Sequence, residues 1–138
     1  MMHPQPPDRV LSAARKLDYR NVLLVALFLD KDRVSPSATL YFPDPATVFT
    51  RVYEPKNRSK CMAPAGKTSL VAEIPCQAED PVWVGPEDKL VDQVTQELAQ
   101  AGLIHPENVI RGTVHRMPSA YPILETAYPG RLKTVTDY

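Results

Sequence analysis

The chain has 138 residues, 43% of them hydrophobic, and its 16 Lys and Arg balance 16 Asp and Glu to a formal net charge of zero. That length and composition support one domain-sized folded core, and the balanced scatter of charge excludes a global field drawing the chain to nucleic acid or an acidic membrane. The longest apolar run, Val22 to Leu29, is far too short for a membrane span. Cys61 and Cys76 are too few for a disulfide scaffold. With no apolar signal core at the start, free thiols and a cytoplasmic location are expected.

Fifteen prolines spread along the chain divide it into short elements. Met1 to Pro7 reads as a ragged start. Asp8 to Leu17 reads as a helix, with Val10, Leu11, Ala14 and Leu17 on one face and Asp8 as N-cap or first-turn acid. The continuous apolar run from Val22 to Leu29 predicts a strand buried on both faces. Thr39 to Phe42 is a short strand stopped by Pro43-Asp44-Pro45. From Val48 to Glu54 the residues alternate, which puts Phe49, Arg51 and Tyr53 on one face and Val48, Thr50 and Val52 on the other. Pro55 to Gly66 is a polar loop. Thr68 to Cys76 alternates again, and Pro75 demotes its far end to an edge or a bulge. Pro86 to Ala101 is the clearest helix, with Pro86 at the first helical position and Gly102 as its left-handed cap. Val109 to Arg116 is a further strand, and Tyr128 to Tyr138 a last helix. Hairpin-length links between the early strands predict an α+β fold, an antiparallel or mixed sheet with helices packed on one face.

Several tempting signals fail on context. Gly66-Lys67-Thr68 resembles the tail of a phosphate-binding loop, but a polar loop precedes it, a strand follows, and Cys61 stands where the motif needs its first glycine. His3, His105 and His115 show no metal-ligand spacing. Five glycines leave no dinucleotide fingerprint. Arg51 is the most informative residue. Set between aromatics on a strand, it is either a stacked surface arginine or an anion-binding arginine in a cleft. Tyr41, just before a turn, and Tyr121, held extended within Ala120-Tyr121-Pro122, each offer a flat face and a hydroxyl tip, and each also fits a half-buried packing residue.

At these residues a resemblance emerges. Tyr19-Arg20-Asn21-Val22 through Phe28-Leu29-Asp30, Tyr41-Phe42-Pro43-Asp44, Phe49-Thr50-Arg51-Val52, Ala101-Gly102-Leu103-Ile104 and Ala120-Tyr121-Pro122-Ile123 together resemble the middle region of the flavin-containing amine oxidase and protoporphyrinogen oxidase superfamily. The branch that includes the UDP-galactopyranose mutases is the most similar. The resemblance implies a substrate lobe built on an antiparallel sheet, with substrate between the sheet and FAD. It implies that Tyr41, Arg51 and Tyr121 contact substrate, Arg51 at the diphosphate in the mutase branch. Phe49, Tyr53 and Arg58 are additional candidates. The chain departs from the mutase pattern at Arg58, where that branch often has an aromatic, and at Ile123-Leu124-Glu125.

The expectation is therefore a single domain over residues 1–138, the substrate lobe of a larger FAD-dependent oxidoreductase. The missing glycine motif and the abrupt ends of the chain both suggest an excised piece. The lobe would be inactive alone, with FAD held by the rest of the parent chain and none by this part. Its partners would be that FAD-binding domain and a small molecule, an anion being one candidate. A mutase-like isomerase lobe and a stand-alone α+β binding module are the alternatives.

Overall fold

The computed structural model describes residues 5–138, so His3 and most of the expected ragged start lie outside the described residues. The chain divides into two units, one formed by the N-terminal segment through Arg20 with Pro118–Tyr138, the other by Asn21–Met117.

In the first unit, helices α1 (Asp8–Arg15) and α4 (Tyr128–Thr136) pack together. Pro7 occupies the N-cap of α1, and Asp8 lies in the first turn, at the positive end of the helix dipole. The helix closes earlier than its apolar spacing suggested, since Lys16 is already the C-cap. Arg131 of α4 ties the chain back on itself, donating to the Lys16 carbonyl at 2.7 Å and to Glu125 at 2.9 Å.

The second unit is built on a five-stranded sheet ordered β2-β3-β4-β1-β5. The strands are β1 (Tyr19–Leu29), β2 (Thr39–Tyr41), β3 (Arg51–Tyr53), β4 (Thr68–Cys76) and β5 (Val109–Pro122). The pairs β1–β4, β2–β3 and β3–β4 are antiparallel, so the α+β reading of the sequence holds. Both β1 and β5 run across the division between the units.

The registers align one row of side chains, Leu40, Val52, Ala72 and Val25, across four strands. Val52, Ala72 and Val25 of this row belong to the core, as do Leu23, Leu27, Leu70 and Ile74. Helix α3 (Glu87–Gln100) covers this face with Leu90, Val94 and Leu98. Gly112 of β5 shows how close that packing is: a Cβ there would come within 2.3 Å of Val91 Cγ1 and 3.1 Å of Leu27 Cδ2. Pro86 serves as the N-cap of α3 rather than its first residue. The helix ends as expected: Gly102 takes φ +72°, its N–H donates to Ala99 O at 2.9 Å, and Leu103 N–H reaches Leu98 O at 3.1 Å. The short helix α2 (Pro81–Val84) precedes it and carries no sequence signal longer than one turn.

Three sequence expectations need correction. Strand β1 is not buried on both faces: Leu23, Val25, Leu27 and Leu29 are fully buried, but Leu24, Ala26 and Phe28 are only half-buried. An unbroken apolar run cannot by periodicity distinguish one covered face from two. The alternation from Val48 to Glu54 does not form one strand. Only Arg51–Tyr53 pairs as strand, and Phe49, ahead of it, turns into the core at 1% exposure, edge-on to Phe42 with ring centroids 4.9 Å apart. Strand β5 runs six residues beyond Arg116, and Ser119 near its end adopts φ +52°, a left-handed conformation unusual for serine. At Pro75 the expectation of an edge is met locally. β4 lies inside the sheet, but β3 accompanies it only over residues 71–73, while β1 continues alongside Pro75.

Candidate functional site

The sheet face away from α3 carries two rows defined by strand register. One is Tyr41, Arg51, Glu73 and Leu24; the other is Thr39, Tyr53, Val71 and Ala26. Of these eight side chains only Glu73 is classed as buried. Four of the sequence candidates, Tyr41, Arg51, Tyr53 and Arg58, come together on this face.

Arg51 Nη2 donates to Glu73 Oε1 at 2.7 Å across the β3–β4 pair. The carboxylate is mostly buried and the arginine about one-third exposed, so Glu73 holds the guanidinium in place while leaving part of it open to solvent. Tyr41 stands opposite Arg51 on β2 with 72% of its surface exposed. An exposed tyrosine flanking an arginine supplies a flat surface and a hydroxyl for a small ligand. Arg58 extends the cluster: its guanidinium lies 5.4 Å from the Tyr53 ring centroid and its Nη2 is 3.4 Å from Thr39 Oγ1.

The turn bearing Arg58 is anchored by Glu54, which is 1% exposed. The Glu54 carboxylate accepts from Thr68 Oγ1 at 2.7 Å, Ser35 N at 3.0 Å, Val34 N at 3.1 Å and Asn57 Nδ2 at 3.2 Å. Asn57 Nδ2 also donates to the carbonyls of Ser35 and Ser37. One buried carboxylate thus fastens the 34–37 loop, the 55–58 turn and the start of β4 together, which is how a buried charge is normally accommodated. Nearby, Lys56 bonds Asp32 at 2.7 Å and the Lys67 carbonyl at 2.9 Å. The hydrogen bond and charge of Lys56 hold the Asp32 carboxyl below its ordinary value.

The remaining candidates separate. Phe49 is a core residue and presents no ring to the open face. Tyr121 lies in the first unit, on the last residues of β5, 46% exposed, just before the Ile123 N–H bonds to the Asp18 carbonyl at 2.8 Å. Two residues on the open face carried no sequence flag. Glu73 is a lone acid within the apolar alternation of β4, and only the strand register shows that it meets Arg51. Arg111 of β5 lies 4.4 Å from the Phe28 ring centroid, on the same face as Phe28.

Two cavities among the described residues are lined by none of the sequence candidates. One, of about 790 Å3, lies in the first unit between α1 and α4, lined by Arg9, Lys16, Arg131 and Tyr138 among others. The other, of about 490 Å3, lies beside α2 and α3, with Val48, Pro81 and Leu90 in its wall. Among the described residues, no group of three or more His, Cys, Asp and Glu is placed to hold a metal ion. The five glycines do not fit a dinucleotide cradle. Gly66 and Gly102 turn a loop and cap a helix, Gly85 precedes α3, and Gly112 and Gly130 lie inside β5 and α4.

The structure is thus an α+β fold whose sheet is covered by helix α3 on one face and carries an arginine–aromatic cluster on the other. No family model and no curated protein sequence matches the chain, but solved structures do. The crystal structure of reduced UDP-galactopyranose mutase aligns with TM-score 0.76 at 20% identity, over 91% of this chain and 27% of that one. A protein assigned as a protoporphyrinogen oxidase from Exiguobacterium sp. 255-15 aligns with TM-score 0.72 at 17% identity, over 92% of this chain and 28% of that one. Putrescine oxidase, solved with bound putrescine, aligns with TM-score 0.57 at 15% identity, over 80% of this chain and 24% of that one. The chain therefore has the fold of one part of these enzymes, as the sequence resemblance implied, and spans about a quarter of their length.

Proposed function

We propose that this chain is the substrate-binding lobe of an FAD-dependent oxidoreductase of the amine oxidase and protoporphyrinogen oxidase kind. The observation that carries the reading is the gathering of Tyr41, Arg51, Tyr53 and Arg58 on the uncovered face of a sheet shared with those enzymes. When bound, FAD supplies hydride or electron transfer, and with no glycine cradle here it belongs to the rest of the protein. The work of this lobe is binding and orientation. Arg51, steadied by Glu73, meets an anionic group of the substrate; Tyr41 and the Tyr53–Arg58 stack fix its plane and exclude water. Tyr121, exposed in the first unit, is proposed separately as a substrate contact. No residue of this chain is assigned a catalytic step, and the lobe alone is inactive. Its partners are the FAD-binding part of the protein and a small molecule, in the cytoplasm; among the described residues, no helix is long and apolar enough to cross a membrane.

A mutase-like isomerase is the second reading, favoured by the Tyr41–Arg51 pairing and the 0.76 TM-score with the mutase. Purified protein from the whole reading frame separates the two. Bleaching of bound flavin by an amine or a porphyrinogen supports the oxidoreductase, whereas binding of UDP-galactose without bleaching supports the mutase. Absence of any flavin leaves a stand-alone binding module and overturns both. Arg51→Ala should weaken binding of the anionic ligand by about 2 kcal/mol. A large loss of stability with unchanged affinity would make Arg51 structural.

A further inference from the structure

The open face carries a second guanidinium-on-ring station, which the motif residues do not include. Arg111 lies 4.4 Å from the Phe28 ring centroid. Its neighbour Gly112 fixes the orientation of β5, because Gly112 is pressed against Val91 and Leu27 on the helix side, so the alternating Arg111 projects to the open side. Arg111 is exposed and, among the described residues, neither it nor Arg58 takes part in an ion pair, whereas Arg51 is tied to Glu73.

The spacing of the two stations follows from register. Tyr53 faces Val71, Val71 faces Ala26, and Phe28 lies two residues further along β1. Two strand spacings across and two residues along place the Cα positions of Tyr53 and Phe28 about 12 Å apart. Val71 and Ser69, both half-buried, form the surface between them. A guanidinium stacked on a ring keeps its planar edge available for a carboxylate or phosphate. With no carboxylate paired to either arginine, the face is complementary to two separated negative charges.

We propose that Arg111 and Phe28 form a second anion station of the ligand face, and that its ligand is an elongated dianionic small molecule lying across β3, β4 and β1. One negative group meets Arg58 and Arg51, and the other meets Arg111. This rests on the reading that ligand lies on the open face, and adds the charge and length of the ligand.

The test uses the full chain and linear α,ω-dicarboxylates of increasing length, each beside the monocarboxylate of equal length, with affinities taken from NMR titration of the arginine guanidinium signals. Dicarboxylates long enough to span the two rings should bind about fivefold more tightly than their monocarboxylate partners, a gain proper to one exposed ion pair. Arg111→Gln should remove that gain, while Arg111→Lys should keep part of it. Thermal melts of both variants control for folding. If Arg111→Gln leaves the length preference intact, or no length preference exists while Arg51→Gln and Arg58→Gln still weaken binding, the second station is wrong and the open-face reading survives. If none of the three arginines affects binding, or no probe binds, both are wrong.

Discussion

Replacing Glu54 tests whether one buried carboxylate organises the loops beside the open face of the sheet. Glu54→Ala removes the shared acceptor of Thr68 Oγ1, Val34 N and Ser35 N, while Asn57 Nδ2 keeps the carbonyls of Ser35 and Ser37. The Thr68 hydroxyl is left in a residue only 2% exposed, and each donor stranded away from water costs about 1–3 kcal/mol. Water reaches the two partly buried amides more readily than Thr68, so the expected loss is about 3–4 kcal/mol. That is a large share of the roughly 5–15 kcal/mol that stabilises a typical domain. Glu54→Gln keeps the volume but turns a donor toward donors, and should lose about half as much. Urea unfolding followed through Trp83, the single tryptophan, reads both losses. Amide exchange at Val34 and Ser35 should accelerate in each variant while that of Val25 and Leu27 in the core tracks only global stability. If Glu54→Gln unfolds at the wild-type midpoint with Val34 and Ser35 still protected, the clasp does not hold these loops.

Gly112→Ala should destabilise the fold by about 1–3 kcal/mol, the usual range for overpacking, because the new methyl meets Val91 and fully buried Leu27; adding Val91→Ala should recover part of the loss in the same melts. Lys56→Met should raise the Asp32 carboxyl toward its ordinary value in an NMR pH titration, since the Lys56 hydrogen bond and charge are the leading causes of its lowering. Because the folded carboxyl is depressed, the Asp32–Lys56 contribution to stability is present above the ordinary aspartate range and is lost as pH falls through the lowered value. The variant should therefore show a smaller loss of stability on acidification than the parent. Glu73→Gln should broaden the Arg51 guanidinium signal by releasing its 2.7 Å ion pair, and unchanged line width with unchanged shift would contradict the positioning role.

Much of this fold was legible because local patterns carried it. The spacing of Leu90, Val94 and Leu98 with Gly102 defined α3 to within a residue, and alternation over Thr68–Cys76 gave β4 its exact bounds. The misreadings came where tertiary pairing decides. Phe49 alternates with Arg51 in sequence, but pairing begins only at Arg51, so the backbone ahead of it is free to turn the ring into the core beside Phe42. The run Val22–Leu29 records only that β1 is apolar; its half-buried side follows from having helix α3 on the other face. At the site, Tyr41 and Arg51 were visible as residues in a familiar order. Glu73 and Arg111 were not, because their roles arise from strand register and from the direction that Gly112 imposes on β5.

The guanidinium NMR spectrum of the whole protein with pyrophosphate added as a small polyanionic probe tests the central claim most directly. The account predicts that the Arg51 and Arg58 signals move with a common affinity, while Arg116, bound to Glu87 and to the Trp83 and Gly85 carbonyls, and Arg131, bound to Glu125 and the Lys16 carbonyl, stay in place. Shifts confined to Arg9 and Arg131, or equal at every arginine, would contradict a ligand face on the open side of the sheet.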